Sequence, residues 1–264
     1  TNEKGKIKPR FESNNANRLY GLRPNLINAG QLAGQNNQQA EALKYFGMYV
    51  ESATNPLFNG VDKSKTPDTY LGEVARVAGV YAFQNKDYQL ADKYVDVAMQ
   101  DTAAYKDALN LKLYIMQQGL KTHEDSVQYV NKLKTLYEKD SNNDQIFSTL
   151  VTMCGSLKMA TEQNKLLNDK LAVDPSNALA WALKGQIFMN ENKPKEAIDC
   201  FKKSVAKDDK NPIVLTYLGF CLNAQAGSIN GNKTEQTNLY KESEGFLEKA
   251  RALDPNREKA NWSY

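Results

Sequence analysis

Apolar and small residues recur along this chain at one long interval, and within each interval they sit at helical spacing. Trp181-x2-Lys184-Gly185-x2-Phe188 places its anchors on one side of a helix, and Ala197-x3-Phe201 does the same for a second helix. Thirty-four residues later Leu215-x2-Leu218-Gly219-x2-Leu222 repeats the first half, and thirty-four residues earlier Phe147-x2-Leu150-Val151-x2-Cys154 does so, followed by Leu167 and Pro175. The anchors return toward the N-terminus as Leu26-x2-Ala29-Gly30-x2-Ala33 with Ala42-x3-Phe46. A further set is Ala75-x2-Ala78-Gly79-x2-Ala82 with Ala91-x3-Val95-x2-Ala98. Period and spacing together predict paired helices repeated along the chain.

The pattern predicts six hairpins, starting near residues 23, 72, 106, 144, 178 and 212, in a single array over residues 23–255. An extended basic leader, 1–22, precedes it, and residues 256–264 read as the opening of a further, truncated unit. The stretch from Tyr105 to Asp140 is the least regular. Asn55 to Gly60 is expected to form a long loop, and the last hairpin carries an insert at Gly227 to Asn232, with Asn232 and Glu235 spaced for a capping box. Thr66-Pro67-Asp68 has the order of an N-cap, a first-turn proline and a first-turn acid, ahead of a helix from Tyr70 to Phe83. Asn85 to Tyr88, Asp174 to Asn177 and Asn192 to Pro194 read as turns. A helical glycine costs about 1 kcal/mol relative to alanine. Gly30, Gly79, Gly185 and Gly219 at one phase of the repeat therefore imply that a second helix comes close there.

The bulky residue, small-Gly pair and aromatic on the first helix, followed by Ala and an aromatic on the second and then Pro, resemble the tetratricopeptide repeat. That resemblance implies an all-α, right-handed superhelical solenoid of antiparallel helix hairpins. It also implies that positions 2, 5, 9, 12 and 13 of each first helix face a concave groove. In this sequence they include Arg76, Val80 and Phe83, then Gln145, Ser148, Thr152 and Ser156. Ala182, Gln186, Met189 and Asn190 follow, and Thr216, Phe220, Asn223 and Ala224 complete the set. Chaperone-binding members of the family hold a C-terminal carboxylate with a Lys, Arg and Asn clamp, which this groove lacks. Its mostly uncharged side chains suit an extended peptide or a helix, although Met189 and Phe220 equally suit packing between repeats.

From the Glu3 to Pro9 leader to the Asp254 to Arg257 end, the chain is similar to exported tetratricopeptide-repeat proteins of gut anaerobes. This likeness implies a periplasmic or envelope setting with a signal peptide already removed, in keeping with a first residue, Thr1, that is not Met. The expected function is a non-enzymatic protein- or peptide-binding scaffold, with capture of a carbohydrate or other small ligand as the alternative.

Charge narrows the partners. The formal net charge is +3, but residues 1–23, whose basic side chains through Arg23 read as a solvated tail, alone carry +4, leaving the body at −1. A nucleic-acid binder needs a basic stripe on its folded face, and none is visible. No apolar run approaches the roughly 18–20 residues that span a bilayer.

Candidate chemistry is sparse. His123 is the only histidine, follows Thr122 at a helix start and has no nucleophile motif beside it. Gly231-Asn232-Lys233-Thr234 departs from a phosphate-binding loop in glycine spacing and follows no strand, so no nucleotide is expected. Asp140-x-Asn142-x-Asp144 begins like a calcium loop, but Gln145 and Val151 stand where its glycine and final carboxylate belong. Asn232-Lys233-Thr234 and Asn261-Trp262-Ser263 fit a short glycosylation acceptor pattern. Cys154, Cys200 and Cys221 lack metal or redox spacing and fall in apolar helical positions, where they read as small buried hydrophobes. No cofactor or metal is expected.

Overall fold

A computed structural model describes residues 12–65 and 67–262, which are all-α; no strand occurs among the described residues. They divide into two compact units, the first ending at Lys121 and the second beginning at Thr122. Unit 1 holds α1 (Glu12–Leu22), α2 (Pro24–Gln35), α3 (Gln39–Ser52), a 3-10 turn at Pro56–Phe58, α4 (Leu71–Gln84), α5 (Tyr88–Ala98) and α6 (Tyr105–Gln118). Unit 2 holds α7 (His123–Lys139), α8 (Asp144–Ser156), α9 (Ala160–Val173), α10 (Ala178–Asn190), α11 (Pro194–Lys207), α12 (Pro212–Ser228) and α13 (Lys233–Leu253). The helices α2, α4, α6, α8, α10 and α12 begin within about a residue of the six predicted starts. The two helices of the irregular third pair, α6 and α7, belong to different units.

The pairs α2/α3, α4/α5, α10/α11 and α12/α13 pack tightly at their glycines. A Cβ on Gly30 would lie 2.6 Å from the Phe46 ring, and one on Gly185 would lie 2.7 Å from the Phe201 ring. At Gly79 it would meet Val95, and at Gly219 Leu247, both at 2.7 Å. The second helix of each pair thus presses a large side chain onto bare backbone of the first. In unit 1 the core continues through Ala75, Ala78, Ala82, Ala91 and Ala98, so alanine keeps α4 and α5 close. In unit 2 Phe147, Val151 and Leu167 form one cluster, and Phe201, Leu218 and Leu222 belong to another.

Polar caps repeat on the same period. Asn143, Asn177 and Asn211, thirty-four residues apart, stand before α8, α10 and α12, and each accepts from backbone N–H groups of the first turn. Asp140, Asp174 and Asp208 end the preceding helices at the same interval, and the Asn143 and Asn177 amides donate to Asp140 and Asp174. In the α2/α3, α4/α5, α8/α9 and α10/α11 pairs the turn is closed by a residue in the left-handed region, Asn37, Lys86, Lys158 and Asn192 respectively, none of them glycine. There the next N–H reaches back to a helix carbonyl, as from Lys193 to Phe188 at 2.9 Å.

Several expectations are corrected. Residues 12–22, read as extended leader, form α1, whose Ala16 and Tyr20 pack on Phe58 and Val61; residues 1–11 lie outside the described residues. Arg23 is no tail charge. It is 5% exposed and donates to Ser52 Oγ (2.7 Å), to the Tyr49 carbonyl (2.9 Å) and to Asp68 (2.5 Å). Thr66 lies outside the described residues, and Asp68 does not serve the first turn of α4, because Arg23 and the Tyr49 hydroxyl engage it. Burial, and then that carboxylate, push the Tyr49 phenol well above its usual pKa. The insert of the last hairpin lengthens α12 and α13 to 17 and 21 residues, leaving a short loop. Asn232 caps α13 by accepting from Glu235 N–H at 3.1 Å, while its amide meets the Glu235 side chain. Residues 256–262 contain no helix; their backbone folds over Asp254, whose carboxylate accepts from the N–H groups of Glu258, Lys259 and Ala260.

Two substitutions test this packing. Gly185→Ala should destabilise unit 2 by about 1–3 kcal/mol through overpacking on Phe201. Gly245→Ala in α13, where a Cβ meets nothing within 4 Å, should be neutral or gain up to about 1 kcal/mol. Urea unfolding of both variants measures the difference. Asp68→Ala leaves a buried guanidinium without its counter-charge and should cost unit 1 about 3 kcal/mol; adding Arg23→Met should recover part of that loss in the same assay.

Candidate functional site

The candidate positions are the sides of α8, α10 and α12 turned away from their hairpin cores. Ser148, Thr152 and Ser156 follow one another at one-turn intervals on α8, and Ala182, Gln186 and Asn190 do so on α10. The opposite sides of these helices carry Phe147, Leu150 and Cys154, and Ala180 and Gly185, which are buried. The amphipathic pattern therefore fixes which side stays available.

These side chains line two hollows in unit 2. Thr152, Ser156, Gln186 and Asn190 border one of about 300 Å³, with Gln163 of α9 closing it and Val151, Gly155, Leu183 and Ile187 as its floor. The Gln163 side chain donates to the Val151 carbonyl at 3.0 Å, and a Cβ on Gly155 would lie 2.5 Å from its nitrogen, so bare backbone there admits the glutamine. Gln145, Ser148 and Ala182 border the other, of about 400 Å³, whose rim carries Asp144 and Asp208. The hydroxyls of Ser148 and Ser156 donate to the Gln145 and Thr152 carbonyls, both at 3.2 Å, which turns their lone pairs outward as acceptors.

The remaining predicted residues behave differently. Thr216 is 2% exposed and donates to the Pro212 carbonyl at 2.8 Å, so burial between helices removes it from any contact surface. Met189 is half-buried against the core cluster around Phe201 and Leu218, whereas Phe220 is 41% exposed. Ala224 is exposed, and Asn223 borders a third hollow, of about 690 Å³, together with Tyr240, Glu244, Arg251 and Trp262. The Trp262 indole N–H donates to the Asp254 carbonyl, and the Arg257 guanidinium lies 4.7 Å from its ring centre. Arg76, Val80 and Phe83 belong to unit 1. Arg76 pairs with Glu73 at 2.6 Å, Val80 is half-buried, and Phe83 packs on Tyr88 and Tyr114 at ring distances of 5.5 and 5.1 Å.

Hairpins closed by glycine on a large side chain, repeated at thirty-four residues and joined by Asp-x-x-Asn turns, decide the architecture. The fold is of the tetratricopeptide type. No family model matches the sequence, and no curated protein matches it. Solved structures similar to this tetratricopeptide-type chain include a double mutant of MamA RS-1, at 14% identity and TM-score 0.44, covering 72% of this chain and 97% of the other. A TPR repeats protein from Bacteroides fragilis NCTC 9343 is similar at 18% and 0.38, covering 89% and 92%. MamA 41-end from Desulfovibrio magneticus RS-1 is similar at 16% and 0.33, covering 92% and 98%. At such identity the likeness is one of fold alone.

Gln163 was not foreseen because it lies on a second helix, outside the expected groove positions; its only signal is Gly155 facing it. His123 is exposed as the first residue of α7, behind a Thr122/Asp125 capping box, and is not among the residues lining these three hollows. The three cysteines are buried and unpaired. Burial raises the thiol pKa of Cys154 and Cys200, and pushes that of Cys221 up to about 11. A thiol reagent at neutral pH should therefore label none of them in the folded chain and all three after guanidinium unfolding, as a colorimetric thiol assay reads directly.

Proposed function

We propose that this chain is a non-enzymatic scaffold that binds a polypeptide on the outward sides of α8, α10 and α12 in unit 2. The observation that carries this reading is the convergence of Thr152, Ser156, Gln186 and Asn190 on one hollow, where none of the four serves the apolar core. Side chains with both donors and acceptors at the edge of a groove suit a partner that brings many of each, as a polypeptide backbone does. Nucleic acid is a poor match, because no Lys or Arg lines this hollow or its neighbour to neutralise phosphates. Carbohydrate capture calls for open aromatic faces, and at Trp262 the ring carries the Arg257 guanidinium.

We also propose an envelope setting, on the likeness of the leader and repeats to exported proteins. Fractionation of cells that make the protein tests it, and recovery with cytosolic markers would remove it.

The binding test is a pull-down with the purified chain as bait, with partners identified by mass spectrometry. Gln186→Lys and Phe220→Ser should each reduce recovery of the same partner about tenfold or more, equivalent to roughly 1.4 kcal/mol or more, while helical circular dichroism stays unchanged. A partner retained by both variants would place binding elsewhere on the molecule.

A further inference from the structure

The second helix of the last hairpin departs from the pattern of the one before it. Leu247 presses on Gly219 as Phe201 presses on Gly185, so Glu244 and Arg251 of α13 stand where α11 has Ile198 and Val205. Ile198 is 5% exposed, and it and Val205 pack in one cluster with Val214 and Leu218 of α12, the helix that covers them. A further helix lying on α13 as α12 lies on α11 would bury Glu244 without a counter-charge, which is strongly unfavourable.

The start signal for such a helix is missing as well. Asn143, Asn177 and Asn211 follow Asp140, Asp174 and Asp208 by three residues and cap the next helix, whereas Arg257 holds that place after Asp254 and has a left-handed backbone, with φ of 58°. The N–H groups of Glu258, Lys259 and Ala260 turn to the Asp254 carboxylate instead, and the Trp262 indole donates to the Asp254 carbonyl at 2.7 Å. Residues 256–262 thus form a fixed wall beside α13. Between wall and helix is the hollow of about 690 Å³, a size suited to a small molecule.

Its lining is charged but balanced, with Lys241 and Arg251 against Glu244 and Glu248. Arg251 pairs with Glu248 at 3.3 Å, while Lys241 and Glu244 have no ion-pair partner among the described residues. These two stand one turn apart, about 4.5 Å along the helix axis, close enough to meet opposite charges carried on a single carbon atom. Tyr240, 44% exposed, and Asn223 add a hydroxyl and a carboxamide, and half-buried Leu247 and Trp262 supply apolar surface. We infer that this hollow binds a free amino acid with an apolar side chain. Lys241 donates to its carboxylate, Glu244 accepts from its ammonium group, and Leu247 and the Trp262 ring cover its side chain. A polyanion or polycation meets a like charge beside each opposite one here, whereas a zwitterion pairs with both. The site shares no lining residue with the α8/α10 hollow.

Titration calorimetry of the full chain with phenylalanine and with leucine tests this. Both should bind, and glycine should bind more weakly because it brings no apolar side chain. Phenethylamine, which lacks the carboxylate, and 3-phenylpropionate, which lacks the ammonium group, should each bind about tenfold or more weaker than phenylalanine. Lys241→Met should weaken phenylalanine about tenfold or more while leaving phenethylamine unchanged, and Glu244→Gln should weaken phenylalanine to the same extent while leaving 3-phenylpropionate unchanged. Helical content and unfolding midpoint should hold in both variants, because both side chains are exposed. Three results would each overturn the inference: no heat with phenylalanine or leucine at millimolar concentration, a singly charged analogue that equals its parent, or affinity that survives both substitutions. The scaffold reading rests on other residues and is decided by the pull-down with Gln186→Lys and Phe220→Ser, so the two stand or fall separately.

Discussion

The close approach of two antiparallel helices, made possible where one of them has no side chain, governs the rest of this structure. A phenylalanine ring against the backbone at Gly30 or Gly185 needs the space that a Cβ would fill. Glycine in a helix is costly, and it persists at this phase because the contact it allows seats a large ring fully within the hairpin. Phe201 is buried as a result, and Leu218 and Leu222 of the next hairpin complete the cluster around it. Each pair therefore presents an apolar side to its neighbour within its unit, while the opposite side of the first helix is released from packing. The available side of α8 and α10 is a consequence of the glycine contact and not a separate feature.

Polar groups hold the apolar pattern in register. An asparagine that accepts from first-turn N–H groups, and an aspartate three residues before it that receives the asparagine amide, stop one helix and start the next within four residues. Lys158 and Asn192 close the turns inside their hairpins with a left-handed backbone that favours glycine, and the carbonyls they help to satisfy offset part of that strain. Such short, defined turns prevent the helices from sliding along each other, so the glycine meets the ring and not the residue beside it.

Much of this is legible from residues alone, because periodic packing must be encoded by periodic residues. The starts of α8, α10 and α12 coincide with those expected from Phe147, Trp181 and Leu215. Contacts between residues far apart in the sequence are what the pattern does not encode. Arg23 looked like the end of a basic leader, yet it reaches Asp68 across forty-five positions and is buried there. The same contact takes Asp68 away from the capping role that Thr66-Pro67-Asp68 suggested. Groove positions were legible as a side of a helix, but Thr216 shows the limit: only neighbouring helices determine whether a residue on that side remains open. Gln163 reached the hollow from a second helix, where the repeat pattern assigns no such role.

The neutral lining of the α8/α10 hollow stands out against the ion pairs elsewhere in unit 2, such as Lys134 with Glu162, Lys202 with Glu242, and Lys249 with Asp209. Exposed or half-exposed pairs of that kind keep the chain hydrated and contribute little to stability, roughly 0–1 kcal/mol each. Binding through them would be long-ranged, screened by salt and open to any oppositely charged molecule. An uncharged polar lining works over hydrogen-bond distance only, and it discriminates by exclusion, since each donor or acceptor left without a partner on burial costs about 1–3 kcal/mol. A mixed-charge exterior beside a neutral hollow would therefore separate two tasks under the scaffold reading proposed above: the exterior keeps the chain hydrated, and the hollow would restrict what can enter.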